Sequence, residues 1–169
     1  MSHSSTKKCP CLADAESIKA LVFSMTHVSF EAILPACEEL LHLAANTDTC
    51  ASCVIRNSDI LLTTCHQMTL LLKSALLAHT PFPARLSLET SLGPSNIVCI
   101  PSPMFMGNME LNPRQSTMLA YDLIARKLRH IVAIVSQMSH VGAPPAAAFA
   151  NHLLVAVSTM LEKLRSTPA

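Results

Sequence analysis

"ILLTTCHQMTLLLKSALLA", residues Ile60 to Ala78, is the stretch on which the fold turns. Leucine, isoleucine, methionine, alanine and cysteine fall on nearly every side of a helix drawn through it, and it contains no glycine or proline. A helix that is apolar all round belongs in the middle of a bundle. Ser58 is its expected N-cap, with Asp59 in the first turn to suit the helix dipole. The run is broken by Thr, His, Gln and Lys73, and no stretch of about 18 apolar residues lacks a charge, so no membrane span is expected.

Downstream, "HTPFPARLSLETSLGPSNIVCIPSPMFMGNMEL" (79–111) carries five prolines and reads as a long crossover with short extended pieces. The next segment has the clearest local signal. Asn112 caps, Pro113 takes the first helical position, and Gln115 sits where a capping box needs it. Apolar residues then recur at 118, 121, 124–125, 128, 131–132, 135 and 138, an amphipathic helix of about 27 residues. Gly142 and the Pro144–Pro145 pair stop it. A last helix is expected from about Ala146 to Arg165.

Upstream, residues 1–13 form a polar lead, and a helical stripe of Ile18, Leu21, Met25, Val28 and Ala32 begins at Asp14. Pro35 is expected to end or kink that helix near Leu34, with a short continuation through Cys37, Leu40, Leu41 and Ala44. "NTDTCASCVIRNS" (46–58) reads as a polar loop. The expectation is an all-α bundle of four to five helices with one long Pro-rich crossover, residues 14–169 forming a single domain.

Composition agrees. Half of the 169 residues are hydrophobic, 14% are charged, and there are three Gly, no Trp and one Tyr. The apolar content is aliphatic, which favours helix. A chain of this length buries roughly 70% of its unfolded surface and needs no staples. No apolar signal core precedes residue 13, and seven is an odd number of cysteines, so reduced, intracellular thiols are expected rather than a disulfide framework. The net charge of +1 lacks the clustered basic residues of a nucleic-acid surface. Low charge with high apolar content predicts an oligomer or partner interface.

The chain has no phosphate-binding loop, nucleophile elbow or H-E-x-x-H, and its eight histidines are scattered, so no catalytic site and no cofactor are expected. Four thiols stand out: Cys9 and Cys11 as C-x-C, and Cys50 and Cys53 as C-x-x-C. Two close pairs could supply the four ligands of a zinc ion. C-x-C is a poor zinc spacing, however, and "VIRNS" separates Cys53 from the expected helix start, unlike a redox C-x-x-C that opens a helix directly. The reading from spacing is therefore that Cys50 and Cys53 mark a loop before a core helix, with zinc or redox chemistry as alternatives. Cys37, Cys65 and Cys99 sit in apolar settings and read as small buried hydrophobes. Arg126, Lys127, Arg129 and His130 cluster off the apolar stripe of the long helix. They read as a solvated face or as a docking site for an acidic partner.

The order of these pieces resembles a known family. Cys9–Leu12 begins as C-x-C-L, helices and a Cys pair follow, then the Leu-rich helix and the Pro-rich crossover. "MELN" (109–112) then steps into "LIARKLRHIVAIVSQMS" and a terminal helix. Over roughly residues 9–165 this is similar to the C-terminal regulatory region of fungal zinc-cluster transcription factors of the aflatoxin regulatory protein type. The resemblance implies a nuclear regulator of a secondary-metabolite, mycotoxin-type gene cluster, working through a coregulator or second subunit. In that family DNA is bound by a separate Zn2Cys6 module spaced C-x2-C-x6-C. This sequence lacks that spacing, so DNA contact is expected only through a domain absent from the chain. The alternative expectation is a small helical thiol- or zinc-binding protein unrelated to transcription.

Overall fold

The Leu-rich run is the central part of a longer helix than its sequence signals suggest. The computed structural model describes residues 10–48, 50–80, 95–141 and 144–166, apart from the side chains at 51, 52, 54–56 and 141. Among these the elements are α1 (Cys11–Ser24), β1 (His27–Ser29), α2 (Phe30–Asp48), α3 (Ala51–His79), β2 (Val98–Ile100), β3 (Phe105–Met106), β4 (Met109–Glu110), α4 (Pro113–Val141) and α5 (Pro144–Ser166). The protein is an all-α bundle, as expected, with two very small sheets.

Helix α3 is the hub and touches the other four helices and β2. Leu61, Leu62, Met68, Leu71, Leu72 and Leu76 are almost wholly buried along it. α4 and α5 pack side by side, and the α1–α2 pair covers another side of α3. In α4 the buried set Tyr121, Ile124, Leu128, Ile131, Val135 and Met138 follows the expected stripe, whereas Met118 at its start is exposed. α5 buries Ala150, Leu153, Val157, Met160 and Leu164, again as spaced.

Three boundaries depart from expectation. α3 starts eight residues before Asp59, with Cys50 rather than Ser58 as N-cap. No residue from Ala51 to His79 is glycine or proline, so nothing in the sequence interrupts the helix. Asn57 and Ser58 are therefore interior residues of α3 and are buried. Second, Pro35 lies inside α2 instead of ending a helix. It is the sixth residue of α2, so it removes only the bond to the Glu31 carbonyl near the frayed end, while Ile33 and Cys37 on either side are buried in the core.

The break comes earlier, at Ser24–Thr26. There Met25 is extended (ψ 92°) and the Ser24 hydroxyl donates to the Leu21 carbonyl at 2.7 Å. The following His27–Ser29 pairs in parallel with Val98–Ile100, Val28 opposite Cys99. Third, α1 begins at Cys11, inside the expected polar lead, and buries Cys11, Ala15 and Val22 while Leu21 is 39% exposed.

The crossover is held at several points. Ser74 Oγ donates to the Ile97 carbonyl at 3.1 Å, and the Val98 N–H donates to the Thr26 carbonyl at 2.8 Å. β3 and β4 form a hairpin through Gly107, whose positive φ of 61° suits glycine. The capping box is formed as read: the Gln115 N–H donates to Asn112 Oδ1 at 2.9 Å, and the Asn112 N–H donates to Gln115 Oε1 at 3.1 Å.

The end of α3 is tied to α4 by a buried pair of hydroxyls. Thr80 Oγ1 lies 2.6 Å from the Leu76 carbonyl and 2.9 Å from the Tyr121 hydroxyl. Thr80 has one hydroxyl proton, which the carbonyl takes, so Tyr121 is the donor to Thr80. Tyr121→Phe is expected to cost about 1 kcal/mol, read as a lower urea midpoint at unchanged slope.

Two helices, Asn57–His79 and Pro144–Ser166, are long and apolar enough to cross a membrane by length and composition. This corrects the expectation that no such run exists. Lys73 did not shorten the first one, and in the bundle Lys73 is itself buried. Two thirds of that first window is covered by the rest of the protein, as befits the hub; of the second, one third is.

Candidate functional site

The early start of α3 changes the setting of the C-x-x-C. Cys50 is the N-cap of α3 and Cys53 lies in its first turn, where the Cys53 N–H donates to the Cys50 carbonyl at 2.8 Å. The connection from α2 is short: the Cys50 N–H reaches the Thr47 carbonyl at 3.0 Å, and the buried Thr47 hydroxyl donates to the Leu43 carbonyl at 2.8 Å. Cys11 is the first residue of α1, whose opening turn is closed by the Asp14 N–H on the Pro10 carbonyl at 3.1 Å. Because α1 packs against α3, the starts of the two helices meet. The sulfurs of Cys11, Cys50 and Cys53 all lie within 4.8 Å of one another. Cys11 and Cys53 are buried and Cys50 is half-buried, which leaves one solvent-facing side.

Three of the four singled-out thiols are thus gathered in one place, and the fourth, Cys9, lies outside the described residues. The reading of Cys50–Cys53 as a loop marker is corrected: the pair opens a helix directly. Asn57, one turn beyond Cys53 on the same face of α3, is 1% exposed, and neither atom of its side-chain amide has a hydrogen-bond partner. Buried polar atoms are normally satisfied, so this amide is an exception in the turn that follows Cys53.

The remaining described cysteines behave as read. Burial pushes the Cys37 and Cys65 thiols up to about 12, and burial also raises Cys99. All three stay protonated near neutral pH and act as small apolar side chains.

The basic cluster on α4 is divided by the helix. Lys127 is largely buried against α2 and paired with Glu38, whose carboxyl it holds below the usual carboxylate range. It joins two helices. Arg126 is exposed and bonds Asp122, one turn back, at 2.7 Å. Arg129 and His130 are exposed too, and Arg129 lines a shallow groove with Leu161 and Arg165 of α5. An open groove of about 310 Å³ between α1 and α2 holds Asp14, Ser17, Glu39 and His42.

No protein-family model and no solved structure matches this chain. One stretch of 57 residues is 39% identical to clavatol biosynthesis cluster protein B of Penicillium crustosum. It covers 34% of this chain and 27% of that protein, so the relationship spans about a quarter of the relative's length.

Proposed function

We propose that this protein is a helical interaction module that regulates a fungal secondary-metabolite gene cluster. It is not an enzyme. It works in the nucleus, away from membranes, by holding a coregulator or second subunit, and it reaches DNA only through another domain or polypeptide. The observation that carries this reading is the similarity to a fungal biosynthesis-cluster protein. The surface supports it. Of the large apolar side chains left exposed, Val98, Ile100, Phe105, Met106, Met109 and Met118 all come from the crossover and the start of α4. Met106 and Met109 stand opposite each other on the hairpin, each more than half exposed. Apolar side chains on the hairpin, together with the exposed basic residues Arg126, Arg129 and His130 of α4, suit a partner with both apolar and acidic groups.

The test is deletion of the coding gene in its host. Transcripts of the neighbouring biosynthetic genes are expected to fall together. Unchanged transcripts with accumulation of a pathway intermediate would show a catalytic role instead. Unchanged transcripts with no accumulated intermediate would favour the second reading, a thiol or zinc protein unrelated to transcription, for which the gathered cysteines speak.

A further inference from the structure

We propose that Cys11, Cys50 and Cys53 form a zinc site that fastens the start of α1 to the corner between α2 and α3. Three independent features converge on it. The first is distance. Zinc–thiolate bonds of about 2.3 Å in a tetrahedron place the sulfurs roughly 3.8 Å apart. Three sulfurs already within 4.8 Å of one another reach that spacing by small side-chain rotations. The second is the pattern of supply. Cys50 and Cys53 come from one helical turn with the C-x-x-C spacing common in zinc sites, and Cys11 comes from a distant segment. A redox pair needs two sulfurs, whereas a tetrahedral ion uses a third and keeps one position for a ligand outside the trio.

The third feature is electrostatic. Three thiolates around Zn2+ leave a net negative centre. The centre lies at the N-termini of two helices of 14 and 29 residues, whose dipoles favour negative charge. Asn57, whose buried amide has no hydrogen-bond partner, lies one turn along α3 from Cys53. On binding, each thiol gives its proton to solvent and forms one S–Zn bond, with no change of oxidation state. The half-buried Cys50 leaves a path for the ion.

Such a site does mechanical work. α1 is the shortest of the five described helices, and its own buried residues are few: Cys11, Ala15 and Val22. An ion at its first residue pins it to the hub helix.

The full-length chain, purified under reducing conditions from zinc-supplemented cells, is to be assayed for metal by mass spectrometry and titrated with cobalt(II). About one zinc per chain is expected, and cobalt should give the intense visible bands of a tetrahedral thiolate site, bleached by zinc. Cys11→Ser, Cys50→Ser and Cys53→Ser should each weaken zinc binding by more than the roughly 10–100-fold lost when a supporting group is removed. Cys99→Ser, outside the trio, should not. Cys50→Ser is the informative variant, because serine is a good N-cap and leaves the start of α3 intact. Its helical content should be unchanged while its zinc is lost. Absence of both zinc and cobalt bands would overturn the site, as would binding that survives Cys11→Ser. A Cys50–Cys53 disulfide formed by mild oxidant in a protein that ignores zinc when reduced would overturn it in favour of redox chemistry.

Discussion

Leu71→Ala is expected to lower the stability of the protein by about 3–4 kcal/mol, and it should be among the most damaging single truncations available. Leu71 lies in the C-terminal half of α3 with no exposed surface. α3 packs against all four other helices, so a cavity in its buried face is walled by elements that would have to move to fill it. Such a site collapses poorly, and the cost rises with the residual cavity. A loss of that size is a large part of the roughly 5–15 kcal/mol that holds a domain together, and it should lower the melting temperature by about 6–16 °C. Val155→Ala on α5 is the control. That side chain is 68% exposed, and alanine is the better helix former, so stability should change by less than about 0.5 kcal/mol. Equal effects of the two substitutions would mean that α3 is not the hub.

Phe30→Ala should cost nearly as much, about 3–5 kcal/mol, and should also change a titration. Phe30 is 1% exposed at the first residue of α2, and its ring meets the edge of His79 at the end of α3, centroids 5.6 Å apart. Burial holds the His79 imidazole below its ordinary range, and its Nε2 is buried without a partner. In the unfolded chain the same ring titrates near the ordinary value of about 6.5. As the pH falls below that value, the unfolded chain takes up a proton that the folded protein refuses. The stability contributed by neutral His79 is therefore full above the ordinary histidine value. It is lost as the pH drops through the window down to the lowered folded value. His66, depressed by burial and by nearby His152, adds a contribution of the same sign.

The wild-type protein should thus unfold more readily as the pH falls below the ordinary histidine value of about 6.5. Removing the Phe30 ring admits water to His79, so its titration should move up toward the ordinary value and the pH dependence should flatten. Both are measurable by NMR titration of the imidazole and by denaturant unfolding across that range. An unmoved His79 signal in the variant would show that other groups dehydrate the ring.

The candidate site shows how an error in one local boundary hides chemistry. Ser58–Asp59 is a good N-cap pair by composition, and placing the helix start there puts Cys50 and Cys53 in a loop. The better clue is negative: from Ala51 to His79 no glycine or proline interrupts the run. With the start at Cys50, the two thiols become an N-cap and first-turn pair, a position that matters chemically. Cys11 could not be assigned to them by any spacing rule, because its approach depends on how α1 lies against α3. The same limit applied to the basic cluster. Spacing groups Arg126, Lys127, Arg129 and His130 on neighbouring turns, but only the presence of Glu38 on α2 turns Lys127 inward.

The all-α class, the hub helix, the capped start of α4 and the buried stripes of α4 and α5 are legible in the residue pattern alone. Each of these rests on interactions within a few residues: periodicity, capping hydrogen bonds and helix propensity. Where α1 ends, whether Pro35 breaks α2 and which cysteines meet depend on packing between distant segments. His27–Ser29 leaves the helix because Val98–Ile100 offers it a strand partner, and Pro35 is carried because its neighbours are packed in the core. Three sulfurs converge because two helix starts are brought side by side. Those choices depend on contacts between segments far apart in the chain, whose energies no local window contains.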